Sequence, residues 1–385
     1  MKRITMTAAT ALCALAILAF AACSKNTDDG TIKIGVFEPL TGANAAGGAQ
    51  ELEGVQLAFK LNPTVTVDGK EYKVDLLIAD NKSDKVEAAN AVQRLIDQGA
   101  RIILGSWGSG YSIAAGEIVK DAHIPAIGLT CTNPLVTAGN DWYFRICFID
   151  PFQGTVMAKY AYDTLGAKTA VIVQEVSNDY SVGLAKYFVD TFTALTGNPA
   201  SILATVNYNT GDQDFSAQLT QIKSLAPAVV FAPGNFTESA LAIKQARQLG
   251  IAAPFIGGDT WETGIFTEVG GESVEGATFS SFYDSSVADS PVAKEFLDVY
   301  HSQFANKEPS ANAALGYDGY LFALDALQRA GSTDPQLVRD AIANTVGFVG
   351  VTGETTLDEN GDATKSAFIK QVQGGVFTFL TIVNP

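Results

Sequence analysis

Arg101 to Thr137, with the sequence RIILGSWGSGYSIAAGEIVKDAHIPAIGLTCTNPLVT, predicts a strand, a turn, a helix and a second strand. Ser109 precedes the Ala-rich helical part and is a candidate N-cap, while the second strand ends near the hydroxyls of Thr130 and Thr132. Helix N-termini bind small anions, and the carboxyl ends of parallel strands are where ligands bind in open α/β sheets. From this stretch alone, a purely local role of these hydroxyls in capping a helix and a turn stays open.

The same alternation extends over most of the chain. Strand-like and helix-like segments alternate from Thr31 to Ile149, and the pattern restarts at Thr169 and continues to Gly258. Such βα series form parallel sheets with right-handed crossovers, so a repeated series predicts a second sheet. The fold class that follows is α/β, with two doubly wound parallel-sheet lobes.

The C-terminal part continues neither series. Helices are predicted at 291–305, 311–330 and 335–344, with no strands between them to build a third sheet. We therefore expect these helices to cover the first lobe, and a final hairpin over 368–383 to cover the second.

The composition is that of a well-buried globular protein with a strong negative charge. Hydrophobic residues make up 47% of the 385 residues and charged residues 17%, which argues against disorder. The net charge is −16, and a mature chain without Lys2 and Arg3 loses two positive charges and carries −18. This charge disfavours nucleic acid or an anionic membrane face as the partner.

The N-terminus has the pattern of a secretory signal peptide, which we place at residues 1–22. Two basic residues precede an apolar run from Ala8 to Ala22 that is too short for a membrane-spanning helix. The sequence Phe20-Ala21-Ala22-Cys23 resembles a bacterial lipoprotein cleavage site, so Cys23 is the predicted lipidation site. Residues 23–30 then form a polar tether that holds the body near a membrane. Ordinary secretion with an incidental cysteine is the alternative.

Two cysteines remain in the predicted folded body, Cys131 and Cys147. In an oxidising compartment they could pair as a disulfide, or they could stay as two buried thiols, and the sequence leaves both open. The chain has no CxxC motif and no Cys/His cluster. No metal site is therefore predicted.

The motifs that would indicate an enzyme are incomplete. GSWGSG has neither the GxxxxGK[ST] pattern of a phosphate loop nor the GxSxG pattern of a nucleophile elbow. The first βα turn, PLTGANAAGG, lacks the GxGxxG of a dinucleotide site. His123 lies at a turn and His301 on an amphipathic helix, so they offer little material for a catalytic triad. The sequence predicts a protein without catalytic residues or a cofactor.

The chain after the leader contains a series of local patterns in a fixed order: IKIGVFEPLTG, GSWGSGYS, IPAIGLTCTNPLVT, FRICFIDPFQG, VSNDYSVG, APGNFTESALAIKQARQLG and FIGGDTWE. With these patterns the body resembles the type I periplasmic solute-binding proteins, in particular the branched-chain amino acid receptors of ABC transporters. The resemblance covers nearly all of the chain after the leader. It implies lobes joined by a three-crossing hinge that closes on a ligand. Lobe 1 is placed at 31–149 plus 284–352, and lobe 2 at 150–283 plus 353–385.

The resemblance also implies roles for individual residues. The ligand carboxylate is expected at Ser109, Thr130 and Thr132, and the ligand amine at Asp259 and the Thr130 carbonyl. The pocket for the ligand side chain is expected to contain aromatic residues and one amide: Trp107, Tyr180, Asn235, Phe236 and Trp261. Asn235 departs from the family, in which an aromatic residue or Gly is common there, and Gly47 replaces a Tyr that some members carry.

These roles lead to a functional expectation. The chain is predicted to be a lipid-anchored, extracytoplasmic receptor that binds a small hydrophobic or branched-chain amino acid and presents it to an ABC permease. Hydrogen bonds to charged groups contribute roughly 1.5–3 kcal/mol each, against about 2.5 kcal/mol for burying about 100 Å² of side chain. The charged ends of the ligand should therefore dominate affinity. A receptor or sensor of the same fold for an amide, a urea-like compound or an aromatic acid is the alternative.

Overall fold

A computed structural model describes residues 30–305 and 307–385 of the chain. The predicted signal peptide at 1–22, the predicted lipidation site Cys23 and nearly all of the predicted tether lie outside the described residues. Within the described ranges, no helix is long and apolar enough to cross a membrane.

The first sheet is built from the N-terminal βα series. It has six strands in the order β2-β3-β1-β4-β5-β6. Their bounds are β1 (Thr31–Glu38), β2 (Thr64–Val67), β3 (Lys70–Asp80), β4 (Ile102–Leu104), β5 (Ala126–Gly128) and β6 (Tyr143–Arg145). β1, β4, β5 and β6 pair in parallel, whereas β2 and β3 form an antiparallel hairpin. The connecting helices are α1 (Ala45–Leu61), α2 (Lys85–Asp97) and α3 (Ser109–Ala122).

The second sheet is built from the repeated series. It has seven strands in the order β15-β14-β11-β10-β9-β7-β8. The strands of the series are β7 (Ala170–Glu175), β8 (Ile202–Tyr208), β9 (Val229–Phe231), β10 (Phe255–Gly257) and β11 (Thr278–Ser281), and they pair in parallel. Its helices are α4 (Asp150–Lys159), α5 (Asp179–Thr196), α6 (Ser216–Leu225), α7 (Phe236–Gln248) and α8 (Gly264–Gly270). The predicted fold class, α/β with two parallel-sheet lobes, is confirmed.

The late helices return to the first sheet, as the sequence predicts. They are α9 (Pro291–Gln303), α10 (Ala311–Ala330) and α11 (Pro335–Ala343). α10 is apolar on nearly all sides and packs directly on α1. A Cβ atom at Gly54 would lie 1.9 Å from the carbonyl oxygen of Ala313, and one at Gly316 would lie 2.1 Å from that of Glu51. The close approach of the two helices therefore requires glycine at both positions.

The C-terminal hairpin differs from the prediction in how it meets the second lobe. β14 (Ala367–Gln373) pairs antiparallel with β11, and β15 (Val376–Val383) pairs with β14. The hairpin therefore extends the sheet at its edge instead of covering its face, because the free edge of β11 offers backbone groups that need partners.

The segment before the hairpin contacts the first lobe. A small two-stranded sheet is formed by β12 (Phe348–Gly350) and β13 (Gly353–Thr355). Asp362 then forms an ion pair with Arg145 at 2.6 Å, and the carbonyl of Gly361 accepts from the backbone N–H of Arg145 at 3.0 Å. The sequence predicts the last boundary between the lobes at 352/353, and we therefore propose that it lies nearer residue 366.

The structure settles two local features. α2 begins at Lys85, because the carboxylate of Asp84 caps it by accepting from the N–H groups of Val86 and Glu87. Cys131 and Cys147 are both buried and free, which is the second of the two alternatives that the sequence leaves open.

Candidate functional site

The candidate site is a cavity of about 280 Å³ at the carboxyl ends of the strands of both sheets. Its lining comes from the loops that follow β1, β3, β4 and β5 in the first lobe and β7, β8, β9 and β10 in the second. Pockets for small molecules typically measure about 300–1,000 Å³, so this cavity suits one small solute. Six of the residues predicted for the site line it: Trp107, Ser109, Thr130, Tyr180, Asn235 and Asp259.

The N-terminus of α3 forms one end of the site. The predicted N-cap is wrong by one position, because Gly108 with φ 90° is the cap and Ser109 is the first helical residue. The Ser109 hydroxyl oxygen accepts from the backbone N–H of Asn133 at 3.1 Å, which leaves its own proton available to donate. Together with the first N–H groups of the helix, this hydroxyl can bind a carboxylate.

Asp259 forms the anionic part of the site. Its carboxylate is buried, and Oδ1 accepts from the Tyr180 hydroxyl at 2.9 Å and from the side-chain amide of Gln153. Gln153 also donates to the Ser280 hydroxyl at 2.8 Å, so Asp259 is held from two sides. Burial raises the pKa of Asp259 to about 6, although both hydrogen bonds favour the charged form. The group is therefore ionised at neutral pH and can pair with an ammonium group.

Tyr180 has a role in addition to the predicted one. Asn178 caps α5 by accepting from the N–H of Tyr180, which directs the ring into the cavity. Because the Tyr180 hydroxyl donates to Asp259, this side chain positions the carboxylate in addition to its predicted role of covering the ligand. Gln153 has the same positioning role; it lies within the FRICFIDPFQG pattern, which by itself gives no sign of a role in the site.

Three predicted site residues lie behind the cavity lining. Thr132 is fully buried at the corner before α4, where its carbonyl accepts from the N–H of Asp150 at 2.9 Å. Phe236 packs against Trp107 with ring centroids 5.8 Å apart. Trp261 is fully buried and stacks on Phe266 at 4.7 Å, so it belongs to the core of the second lobe. These three side chains are buried behind the residues that line the cavity.

A polar network that the sequence does not reveal lines the rest of the cavity. The amide of Asn235 donates to Asn44 at 3.1 Å, and Asn44 donates to the Tyr111 hydroxyl at 2.7 Å. Asn178 donates to both Asn235 and Glu175. These residues come from loops far apart in sequence, so no local pattern could have grouped them.

Contacts across the cavity join the lobes directly. Lys85 of the first lobe pairs with Asp179 of the second at 2.6 Å, and the side-chain amide of Asn133 donates to the Asp179 carbonyl at 2.8 Å. The Asn235–Asn44 hydrogen bond also crosses between the lobes. The structure is therefore in a closed arrangement, in which a solute would be enclosed by both halves.

Comparison with known proteins identifies related sequences and structures. Residues 31–376 match the sequence profile of a family described as "Periplasmic binding protein". Leu/Ile/Val-binding protein homolog 1 of Brucella suis biovar 1 is 31% identical over 336 residues, which are 86% of this chain and 87% of that protein.

Solved structures extend the similarity to the whole fold. A leucine-binding protein, LivK of Thermotoga maritima, is 42% identical with a TM-score of 0.88, and the match covers 92% of this chain and 99% of that one. LivJ of Streptococcus pneumoniae in complex with isoleucine is 32% identical with a TM-score of 0.84 and coverages of 92% and 100%. A Rhodopseudomonas palustris solute-binding protein in complex with benzoate has a TM-score of 0.82 at coverages of 92% and 97%, but its 20% identity shows the fold alone.

Proposed function

The chain belongs to the periplasmic binding protein family, and from this premise we propose that it captures a free α-amino acid outside the cytoplasm and presents it to an ABC importer. Proteins of this family bind solutes and are not enzymes. One observation carries the proposal: Ser109 of the first lobe and Asp259 of the second line the same cavity. An α-amino acid is a zwitterion, so it needs donors at one end and an anion at the other.

The charges of the cavity favour this class of ligand over an acid without an amine. The buried carboxylate of Asp259 has two uncharged partners, Gln153 and Tyr180, and forms no salt bridge with a described residue. With a neutral or purely anionic solute in the cavity, this carboxylate would stay buried without a counter-charge, which is costly in free energy. An ammonium group supplies that counter-charge.

For the side chain of the ligand we propose leucine, isoleucine or valine first. The support comes from the relatives, since the Brucella protein is named for these amino acids, the Thermotoga protein for leucine, and the Streptococcus structure is a complex with isoleucine. Trp107 offers an apolar surface to such a side chain. Asn44, Thr210 and Asn235 add polar groups to the lining, so threonine and glutamine belong in the same comparison.

Titration calorimetry with a panel of free amino acids tests this proposal. We expect at least one aliphatic amino acid to bind in the micromolar range or tighter, while benzoate and simple amides do not bind. A matching increase of the melting temperature with ligand concentration is expected, because a ligand that binds only the folded state stabilises it. Failure of every amino acid to bind, or tighter binding of benzoate, would contradict the proposal.

We also propose that Cys23 carries a lipid that anchors the protein to a membrane. The support is the sequence around Cys23 and the extracytoplasmic location that the family implies. A Cys23→Ser variant expressed in a bacterial host should move from the membrane fraction to the soluble extracytoplasmic fraction, with unchanged amino acid affinity. Equal membrane retention of variant and parent would argue for ordinary secretion.

A further inference from the structure

A pair of buried carboxyl groups lies behind the first-lobe side of the cavity. Glu38 ends β1 and Glu51 lies on α1, and both side chains are fully buried. Glu38 Oε2 accepts from the backbone N–H of Trp107 at 2.7 Å. Glu51 Oε1 accepts from the hydroxyl of Thr130, which lines the cavity.

The remaining oxygens of the pair have no other partner in the described part of the chain. Glu38 Oε1 and Glu51 Oε2 are buried and accept a hydrogen bond from no described residue, and the charge of Glu51 acts on Glu38. Two neighbouring buried carboxyl groups resist ionising together, so above a pH of about 7 the pair keeps one proton and carries one negative charge. Burial, followed by the charge of Glu51, raises the pKa of Glu38 well above its usual range, and burial raises that of Glu51 to about 7.

The contact with Glu51 decides what Thr130 can do. Its hydroxyl proton is directed to Glu51, so towards the cavity the oxygen can only accept a hydrogen bond. An ammonium group is a donor and suits this oxygen, whereas a carboxylate does not. The contact of the Thr130 hydroxyl with the ligand carboxylate, which the resemblance implies, is therefore replaced by a contact with the ammonium group. The charge of Asp259 in the second lobe also acts on Glu51, so the acids of the two lobes repel each other when no cation lies between them.

We propose that Glu38 and Glu51 are positioning residues for the ammonium group of the ligand: they orient Thr130 as an acceptor and place one shared negative charge on the first-lobe side of the cavity. This inference rests on the proposed function and adds a second determinant of selectivity to Asp259. It explains how the site would select an amine-bearing solute over an acid of the same shape without the amine.

The test compares leucine with leucic acid, in which a hydroxyl replaces the ammonium group; any tighter binder from the panel replaces leucine, with its own hydroxy acid. The wild type, Glu38→Gln, Glu51→Gln and the double variant are titrated by calorimetry. In Glu51→Gln, the amide can accept from Thr130 and donate to an ionised Glu38, so the charge of the pair is kept. Single variants should stay within about threefold of the wild type, because each preserves that arrangement.

The double variant removes the charge. We expect leucine to bind about tenfold or more weakly and leucic acid to change by less than about threefold, since only the negative charge that faces the ammonium group is lost. An equal effect on both ligands, or no effect on leucine, would overturn the inference. So would a single variant that loses as much affinity as the double variant, because the pair would then not share a proton.

Thr130→Val serves as an independent variant in case the double variant does not fold. It removes the acceptor while both acids remain, and the same selective loss for leucine is expected. Unchanged discrimination between leucine and leucic acid in this variant would also overturn the inference. Absence of any amino acid binding by the wild type would instead contradict the proposed function.

Discussion

Replacing Asp259 by Asn is expected to remove most of the affinity for any solute with an ammonium group. The two side chains have nearly the same shape, and Asn can still accept from Tyr180 and Gln153, so only the charge is lost. Loss of one partner of a buried charge pair costs about 2–5 kcal/mol, which corresponds to a roughly 30-fold to several-thousand-fold increase in Kd. Calorimetry with the amino acid that binds most tightly in the panel measures this increase in Kd.

The same variant should change the pH dependence of binding. Burial raises the pKa of Asp259 to about 6, so the carboxylate is charged above this pH and becomes neutral below it. Affinity for an ammonium group should therefore fall as the pH is lowered from 7 to 5. Burial raises the pKa of Glu51 to about 7, and this group acts in the same direction, so Asp259→Asn should keep a shallower slope. An equally steep slope in the variant would contradict the assignment of Asp259.

Two controls accompany the Asp259→Asn prediction: the stability of the ligand-free variant and a substitution on the surface. A carboxyl whose folded-state pKa lies above its unfolded value is held in its less stable, charged form at pH 7, so Asn at position 259 should not destabilise the ligand-free protein. Asp190→Asn is the matched control, because this acid forms an exposed ion pair with Lys186 on α5. Its Kd should equal that of the parent.

Replacing Arg145 by Met is expected to give the largest loss of stability. Arg145 is fully buried, and its guanidinium pairs with Asp362 at 2.6 Å and donates to the carbonyls of Cys131 and Asn133 at 2.7 and 2.9 Å. Breaking a buried ion pair by removing one partner costs about 3–5 kcal/mol, because the other charge is left without compensation. Chemical denaturation of the ligand-free protein should show this decrease in the free energy of unfolding.

Arg145→Met should also weaken amino acid binding. Arg145 holds the loop that contains Thr130 and Asn133, and Asn133 is the partner of Ser109. Arg339→Met is the matched control, since Arg339 pairs with the largely exposed Asp141, and such a pair contributes about 0–1 kcal/mol. If affinity and the free energy of unfolding decrease no more in Arg145→Met than in Arg339→Met, Arg145 does not support the loop.

Much of the architecture could be predicted because its signals are local. The alternation of apolar strands and helices predicts both parallel sheets, and the strand ends place Ser109 and Asp259 at ligand-binding edges. The resemblance to the family then brings these two residues into one cavity, where the structure also places them. The resemblance also implies Thr132, Phe236 and Trp261 in this cavity, but all three side chains pack behind its lining.

The partners of the site residues could not be predicted in this way. Gln153 donates to Asp259, Glu51 accepts from the Thr130 hydroxyl, and Asp362 pairs with Arg145 from a distant part of the chain. A buried polar group must find a partner wherever packing brings one, and that partner is independent of distance along the chain.

The sequence by itself determined the order of strands and helices, the two lobes and the ends of the strands at which a small solute would bind, because hydrophobic periodicity acts over a few residues. Only the tertiary structure decided which of those side chains reach the cavity, to which acceptor each hydroxyl donates and which acid is charged. These properties depend on burial and on hydrogen bonds between elements that meet only after folding.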